Sequence, residues 1–406
     1  MPFKNRNSCN NNYKKNDHVT SKVTFPYDFV PLNHKVLIPE WGDKISQDIP
    51  FEDGEDGTIT VTFKNVTPLF IKNGMRDKKK DPNTGNISVD IKPDTPAYED
   101  TLSAHIGNQD GKRQFFIPAS SLKGMIRSVM EVFSFCKMEQ YNDHFSGKKI
   151  EPKKRVSEGI SQKNYFQNGT IAPNTDKDLV NCIFGCVNSD RSKDVLRGRV
   201  QFCNAFCSDN INSYNEDSGV LGQPKSCFYP FYIKQNSHGS YITYDNDKIE
   251  IAGRKFYCIH EDEYITKIPG GKNKKIYSCL KLIPKGHLFV AKINLHNMRP
   301  VEIGAILSAL TFHQHEECFH NVGMGKSYGY GKLQIESLSM KGTKKDKTYY
   351  LEEYEKYMSN FTQSFLRKSW KETDQFKKML AIASNHNENL EIMALADYTN
   401  LKRNRR

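Results

Sequence analysis

The segment Phe116-Ile-Pro-Ala-Ser-Ser-Leu-Lys-Gly-Met-Ile-Arg127 constrains the fold most, because a strand must end and a helix must begin within a few residues of it. Apolar residues 115–117 suit a strand end, Pro118 cannot continue one, and Ser120 or Ser121 can cap a helix. From there Leu122, Met125, Ile126, Val129, Met130 and Phe133 recur at helical spacing, which predicts an amphipathic helix. Lys123 and Arg127 fall outside that stripe, one turn apart. A helix start offers unpaired N–H groups and the positive end of the macrodipole, so with two hydroxyls and two cations it suits a phosphate. Alone, the segment reads equally well as a capped helix with solvated basic residues.

A second element weighs on that choice. Asn321-Val-Gly-Met-Gly-Lys-Ser-Tyr-Gly-Tyr-Gly-Lys-Leu333 places glycines at 323, 325, 329 and 331, with Lys326, Tyr328 and Tyr330 between them. Such a backbone must turn sharply or be approached closely. It lacks the spacing of a Walker loop, and residues 333–337 read as a strand where a dinucleotide fingerprint would open a helix. A flexible hairpin is the plain reading. Glycines alternating with aromatic and basic residues suit a nucleic-acid backbone better, with amides for phosphates and tyrosines for bases or sugars.

Composition agrees with a polyanionic partner: the 406 residues carry a formal charge of +12. No apolar run is long enough to span a bilayer and the start has no signal-peptide core, so a soluble, cytoplasmic protein is expected. Ten cysteines in such a chain read as free thiols or metal ligands.

Along the chain, residues 1–21 read as a disordered leader and 22–56 as an extended N-terminal arm pinned by prolines. Residues 57–71 give the first clear strand, with Ile59, Val61 and Phe63 alternating with threonines up to Pro68. Residues 198–202, 253–258 and 288–294 are further strand candidates, and 299–310 predicts a buried helix with Pro300 in its first turn. Polar insertions are expected at 72–113, 138–178 and 208–250. A Lys-rich linker at 341–347 leads to helices at 350–358, 363–382 and 390–396 in a tail, 341–406, with a basic end. The order of elements fits an α+β chain built on an enlarged βαββαβ module over 57–340, an architecture that presents a sheet to RNA in many proteins.

These residues resemble a known family. Residues 117–127 are similar to the Ile-Pro-Gly-Ser-Ser-Leu-Lys-Gly-x-x-Arg signature of RAMP-superfamily proteins of CRISPR systems, with Ala119 in place of glycine. Phe184-Gly185 followed by Gly198-Arg-Val-Gln-Phe-Cys-Asn-Ala205 resembles that family's next block, with Asn204 where aspartate is common. Gly253-Arg-Lys-Phe-Tyr257, the 300–310 helix and the glycine loop follow in the family's order. The resemblance implies a ferredoxin-like, RRM-related core with large insertions and a helical C-terminal extension, in a subunit of a type III (Csm/Cmr-like) CRISPR effector complex in antiviral defence. It implies crRNA, target RNA and other effector subunits as partners, and a thumb-like insertion at 208–250. Ser120, Ser121, Lys123, Arg127, Gly323, Gly325, Lys326 and Tyr328 are the expected RNA contacts.

Target-cleaving relatives use an aspartate in the loop between the first strand and first helix, with Mg2+ assisting an in-line cut. That loop holds Asp77, Asp81, Asp90, Asp94, Asp100 and Asp110; Asp100 and Asp110 lie nearest the helix start and are the candidates, with solvated carboxylates as the plain alternative. Cys182, Cys186, Cys203 and Cys207 form two pairs spaced as zinc ligands can be. His313, His315, Cys318 and His320 form a second ligand-rich cluster whose histidines could contact RNA or serve as a general base. Two functions follow: a guide-binding subunit, with or without Mg2+-dependent target cleavage, or a RAMP endoribonuclease that processes precursor crRNA by histidine acid–base chemistry.

Overall fold

The computed structural model describes residues 26–33, 35–72, 79–80, 87–88, 103, 105–107, 113–137, 177–186, 195–211, 215–219, 229–236, 241–242, 251–259 and 278–384. Strands β1 (Tyr27–Val30), β2 (Glu55–Asn65), β3 (His105–Gly107), β4 (Arg113–Ile117), β5 (Val200–Phe202), β6 (Ala205–Cys207), β7 (Arg254–Tyr257), β8 (Leu288–Met298), β9 (His320–Asn321) and β10 (Lys332–Lys341) carry the architecture. The helices are α1 (Ala119–Phe133), α2 (Leu179–Phe184), α3 (Pro300–Thr311), α4 (Lys347–Leu366) and α5 (Asp374–Ala383).

The main sheet runs β9-β10-β2-β8-β6-β4-β3, and β5 also pairs with β8. Every pairing in it is antiparallel. Taking β2, α1, β5/β6, β8, α3 and β10 in chain order gives strand–helix–strand–strand–helix–strand, with the fourth strand beside the first and the third beside the second. That is the split βαββαβ arrangement the sequence predicts, and the chain is α+β. Alternation sets which face is buried: Ile59, Val61 and Phe63 of β2 lie against Ile293, Ala291 and Phe289 of β8, all in the core.

Helix α1 buries Leu122, Ile126, Val129, Met130 and Phe133 of the stripe its spacing predicts, while Met125 is half-buried at the cleft. Helix α3 carries proline at its first position and is buried from Glu302 to Leu310, because it packs between α1 and α4. Gly304 permits that closeness, since a Cβ there would lie 2.0 Å from the Tyr350 carbonyl oxygen. The tail helices belong to the core. Tyr350, Tyr354 and Trp370 are fully buried, the Trp370 indole donates to the Phe133 carbonyl at 2.8 Å, and Tyr354 Oη meets Ser134 Oγ at 2.9 Å. The expected linker is short: β10 extends to Lys341, and Asp346 caps α4 by accepting from the Tyr349 N–H at 2.9 Å. The helix expected at 390–396 lies outside the described residues.

The N-terminal arm supplies β1, which pairs antiparallel with β7, Tyr27 opposite Tyr257 and Val30 opposite Arg254. Lys378 of α5 forms an ion pair with Asp28 of β1 at 2.5 Å, so arm and tail are joined. Among the described residues no helix is long and apolar enough to cross a membrane.

Candidate nucleic-acid interface

A cleft of about 600 Å3 opens where α1, the glycine loop, β7 and α5 meet. Its walls include Ser120 and Ser121 from the first turn of α1, Gly323 and Lys326 from the glycine loop, and Lys255 and Tyr257 from β7. Two motifs some two hundred residues apart in sequence thus face one space.

The helix start differs from the expectation in one respect. Neither serine caps α1: its N-cap is Pro118, which offers no side-chain acceptor, and both serines lie within the first turn. The Ala119 N–H is taken by Asn204 Oδ1 at 2.8 Å, and the Ser121 and Leu122 N–H groups return to the Pro118 carbonyl at 2.9 and 3.1 Å. The Ser120 N–H and both serine hydroxyls have no partner among the described residues, and both serines line the cleft. They are donors available to an anion at the positive end of the helix.

The glycine loop joins β9 to β10 through a single 3-10 turn, Lys326–Tyr328. Glycines 323, 325, 329 and 331 all take positive φ. Gly331 has no alternative, since a Cβ there would lie 1.8 Å from the Val322 carbonyl oxygen. The loop is held to the body by the Met324 and Gly331 N–H groups, which donate to the Phe70 and Pro68 carbonyls at 2.9 Å each. It is therefore a shaped turn, and Lys326 is presented by it. Burial lowers the Lys326 pKa, and its ammonium has no partner among the described residues.

Electrostatics favour an anion. Lys72, Lys255 and Lys326 line the cleft, and no carboxylate appears among its described walls. Lys255 is held by aromatics: its Nζ lies 3.7 Å from the centre of the Tyr27 ring and donates to Tyr232 Oη at 2.7 Å, and burial lowers its pKa to about 8. Gly124 adds a shape argument. It lies in the middle of α1 on the cleft wall, and a Cβ there would meet nothing within 4 Å. The fold around it therefore does not require a glycine at that position.

Not every expected contact faces this space. Lys123 and Arg127 lie on the flank of α1 turned to α2, with Lys123 Nζ 3.4 Å from the Phe184 carbonyl and both cations near the Phe184 ring. Arg127 is paired with Glu131 at 2.9 Å, and Glu131 with Arg254 at 2.8 Å. Helical geometry explains the difference: positions 120, 121, 124, 125 and 128 share the cleft face, and 123 and 127 the next one. Tyr330 is buried with Phe70, Leu280 and Leu282, and Tyr328, partly buried, packs against that cluster, so neither tyrosine lines the cleft. Gly325 stands behind Lys326, where a Cβ would strike the Tyr330 ring.

The remaining candidates separate. Asp100 and Asp110 lie outside the described residues. The four cysteines do not converge. Cys182 is turned into the core by α2, where burial pushes its thiol up, Cys186 and Cys207 sit on separate strand segments and Cys203 lies in the break between β5 and β6; no group of metal-ligand atoms among the described residues unites them. Cys207 lies instead with Asp209 and His287. The histidine cluster also disperses. His313 Nε2 meets Glu355 at 2.9 Å, His315 pairs with Glu317, and buried His320 contacts the Leu310 carbonyl at 2.7 Å, with its pKa lowered to about 4.

Sequence reasoning missed Lys255, whose only signal was its place in the Gly-Arg-Lys-Phe-Tyr block. It also gave no role to Arg199, which stands in the second family-like block. Arg199 is fully buried and donates to the Cys182 carbonyl, the Asn297 carbonyl and Glu302 Oε1, a structural role.

The antiparallel βαββαβ sheet, with a lysine-lined cleft at the start of its first helix, is an α+β fold of the ferredoxin-like class. The RAMP superfamily model matches residues 62–334, more than half of the chain, and the protein belongs to that family. Among solved structures, that of Csc2 from Thermofilum pendens is similar with a TM-score of 0.33 and 10% identity, over 85% of this chain and 92% of that one. No curated protein sequence matches the chain.

Proposed function

We propose that this RAMP protein is a guide-binding subunit of a type III CRISPR effector complex, and that the cleft between α1 and the glycine loop holds the crRNA backbone. One observation carries the reading: the first turn of α1 and the glycine loop line the same cleft, with the free donors of Ser120 and Ser121, three lysines and no carboxylate on its described walls. A phosphate placed there would accept from the Ser120 N–H and the serine hydroxyls and would pair with Lys326. It would also relieve the desolvation that lowers the Lys326 pKa. The other effector subunits and the target RNA are the partners of such a protein, and Mg2+-dependent target cleavage by Asp100 or Asp110 would be a second activity of the assembled complex.

Histidine-based processing of precursor crRNA fits less well. His320 is neutral at physiological pH and spends a ring nitrogen on the Leu310 carbonyl, while His313 is committed to Glu355. The test is RNA affinity as a function of salt. Lys326→Ala should weaken binding and lower the magnitude of the salt slope by about 0.7, one single-strand phosphate contact. Lys123→Ala, on the neighbouring flank, should change the slope less. Equal effects of the two, or an unchanged slope in a folded Lys326→Ala protein, would place the RNA elsewhere.

A further inference from the structure

Away from the cleft, the end of β6 and the turn that leads into β8 bring three metal-ligating side chains together. One ligand atom each from Cys207, Asp209 and His287 lies within 4.8 Å of the other two. His287 Nδ1 and Asp209 Oδ2 are 3.0 Å apart, and Cys207 is buried beneath them. The backbone fixes both sides. Cys207 stands opposite Phe289 in the antiparallel pair, the Ser208 N–H donates to the Leu288 carbonyl at 3.0 Å, and the His287 N–H donates to Asn65 Oδ1 at 2.8 Å.

We propose that Cys207, Asp209 and His287 bind a zinc-class divalent cation, with a water molecule completing a tetrahedral shell. The donor set is one sulfur, one imidazole nitrogen and one carboxylate oxygen, a mixture that zinc accepts and that hard ions such as Mg2+ do not favour. With zinc–ligand bonds of about 2.0–2.3 Å, neighbouring donors of a tetrahedron stand roughly 3.3–3.8 Å apart, so side-chain adjustments of about 1 Å close the site. Binding releases the thiol proton to solvent and leaves a thiolate on the metal. An ordinary His–Asp ion pair explains two of the three groups but gives no reason for the thiol to share their space.

The location gives the ion a structural task. It would tie β6 to the turn ahead of β8, and Asn204, just before β6, holds the first N–H of α1. The site is distinct from the four-cysteine arrangement expected from spacing, and only Cys207 is common to both.

The experiment uses the full-length protein after dialysis against a chelator, loaded with Zn2+ for elemental analysis and with Co2+ for absorption spectroscopy. About one equivalent of zinc per chain is expected, together with a thiolate-to-cobalt charge-transfer band and the visible bands of a tetrahedral ion. Cys207→Ser should abolish the charge-transfer band, and His287→Gln should weaken metal binding at least tenfold. A combined Cys182→Ser, Cys186→Ser and Cys203→Ser variant should keep both signals. Less than about a tenth of an equivalent in folded wild-type protein would overturn the proposal. So would a charge-transfer band that survives both Cys207→Ser and His287→Gln, or one that is lost only in the triple variant.

Discussion

Replacing Gly124 with alanine should make the protein more stable and a poorer RNA binder. Gly124 lies in the helical interior of α1, and glycine there costs about 0.8–1.0 kcal/mol relative to alanine. A new Cβ meets no atom of the protein within 4 Å, so no clash offsets that gain. The expected stabilisation of just under 1 kcal/mol corresponds to a rise in melting temperature of roughly 1–3 °C for a chain of this size. The same methyl enters the cleft beside Ser120 and Ser121, where it would hold a sugar–phosphate backbone off the helix start. Loss of one such contact should cost on the order of tenfold in affinity at moderate salt and about 0.7 in salt slope. The assay pairs urea unfolding with fluorescence-anisotropy titration of a single-stranded RNA at several salt concentrations, and Gly124→Leu should bind more weakly still. If Gly124→Ala and Gly124→Leu both bind RNA as the wild type does, no ligand backbone approaches this wall.

Two further outcomes follow from the interior. Arg199→Met leaves Glu302 buried without its guanidinium, although Trp41 and the Arg299 N–H still donate to it, and should cost about 3–5 kcal/mol in urea unfolding; adding Glu302→Gln should recover part of that, and a loss below about 1 kcal/mol for Arg199→Met alone would refute the pairing. His320 has its folded pKa lowered to about 4 while the unfolded chain protonates near 6.5, so the unfolded state binds more protons between those values and stability falls as pH drops through that window. The expected loss from pH 6.5 to 4.5 is roughly 2–3 kcal/mol, with His313 acting in the same direction, and His320→Gln should flatten it in unfolding measured across pH.

Elements with a clear period were legible in the sequence. The alternation of Ile59, Val61 and Phe63, the stripe of α1 and the proline-led α3 each point to one partner face, and the structure places them accordingly. The two halves of the cleft were also visible as motifs, because glycine spacing and a strand-to-helix junction leave local marks. The direction of each cation was not, since it depends on what packs beside α1: α2 draws Lys123 and Arg127 to its own side, and α2 lies more than forty residues further on. Lys255 and Arg199 were illegible for the same reason. One is held by aromatics from two separate segments, Tyr27 and Tyr232, and the other by Glu302 across the core. The cysteine pairs misled because spacing along the chain carries no information on whether strands bring thiols to one point.

The walls of the cleft come from distant parts of the chain. Ser120 stands on one wall, Gly323 on another, and Met379, Ile382 and Ala383 of α5 on a third, with α5 tied to Asp28 in the arm. During synthesis the α1 start leaves the ribosome long before α5 exists, so a nascent chain exposes Ser120 and Ser121 without the enclosing wall. The cleft is therefore complete only once residues 374–383 have docked, so its enclosure reports that the tail has folded onto the core.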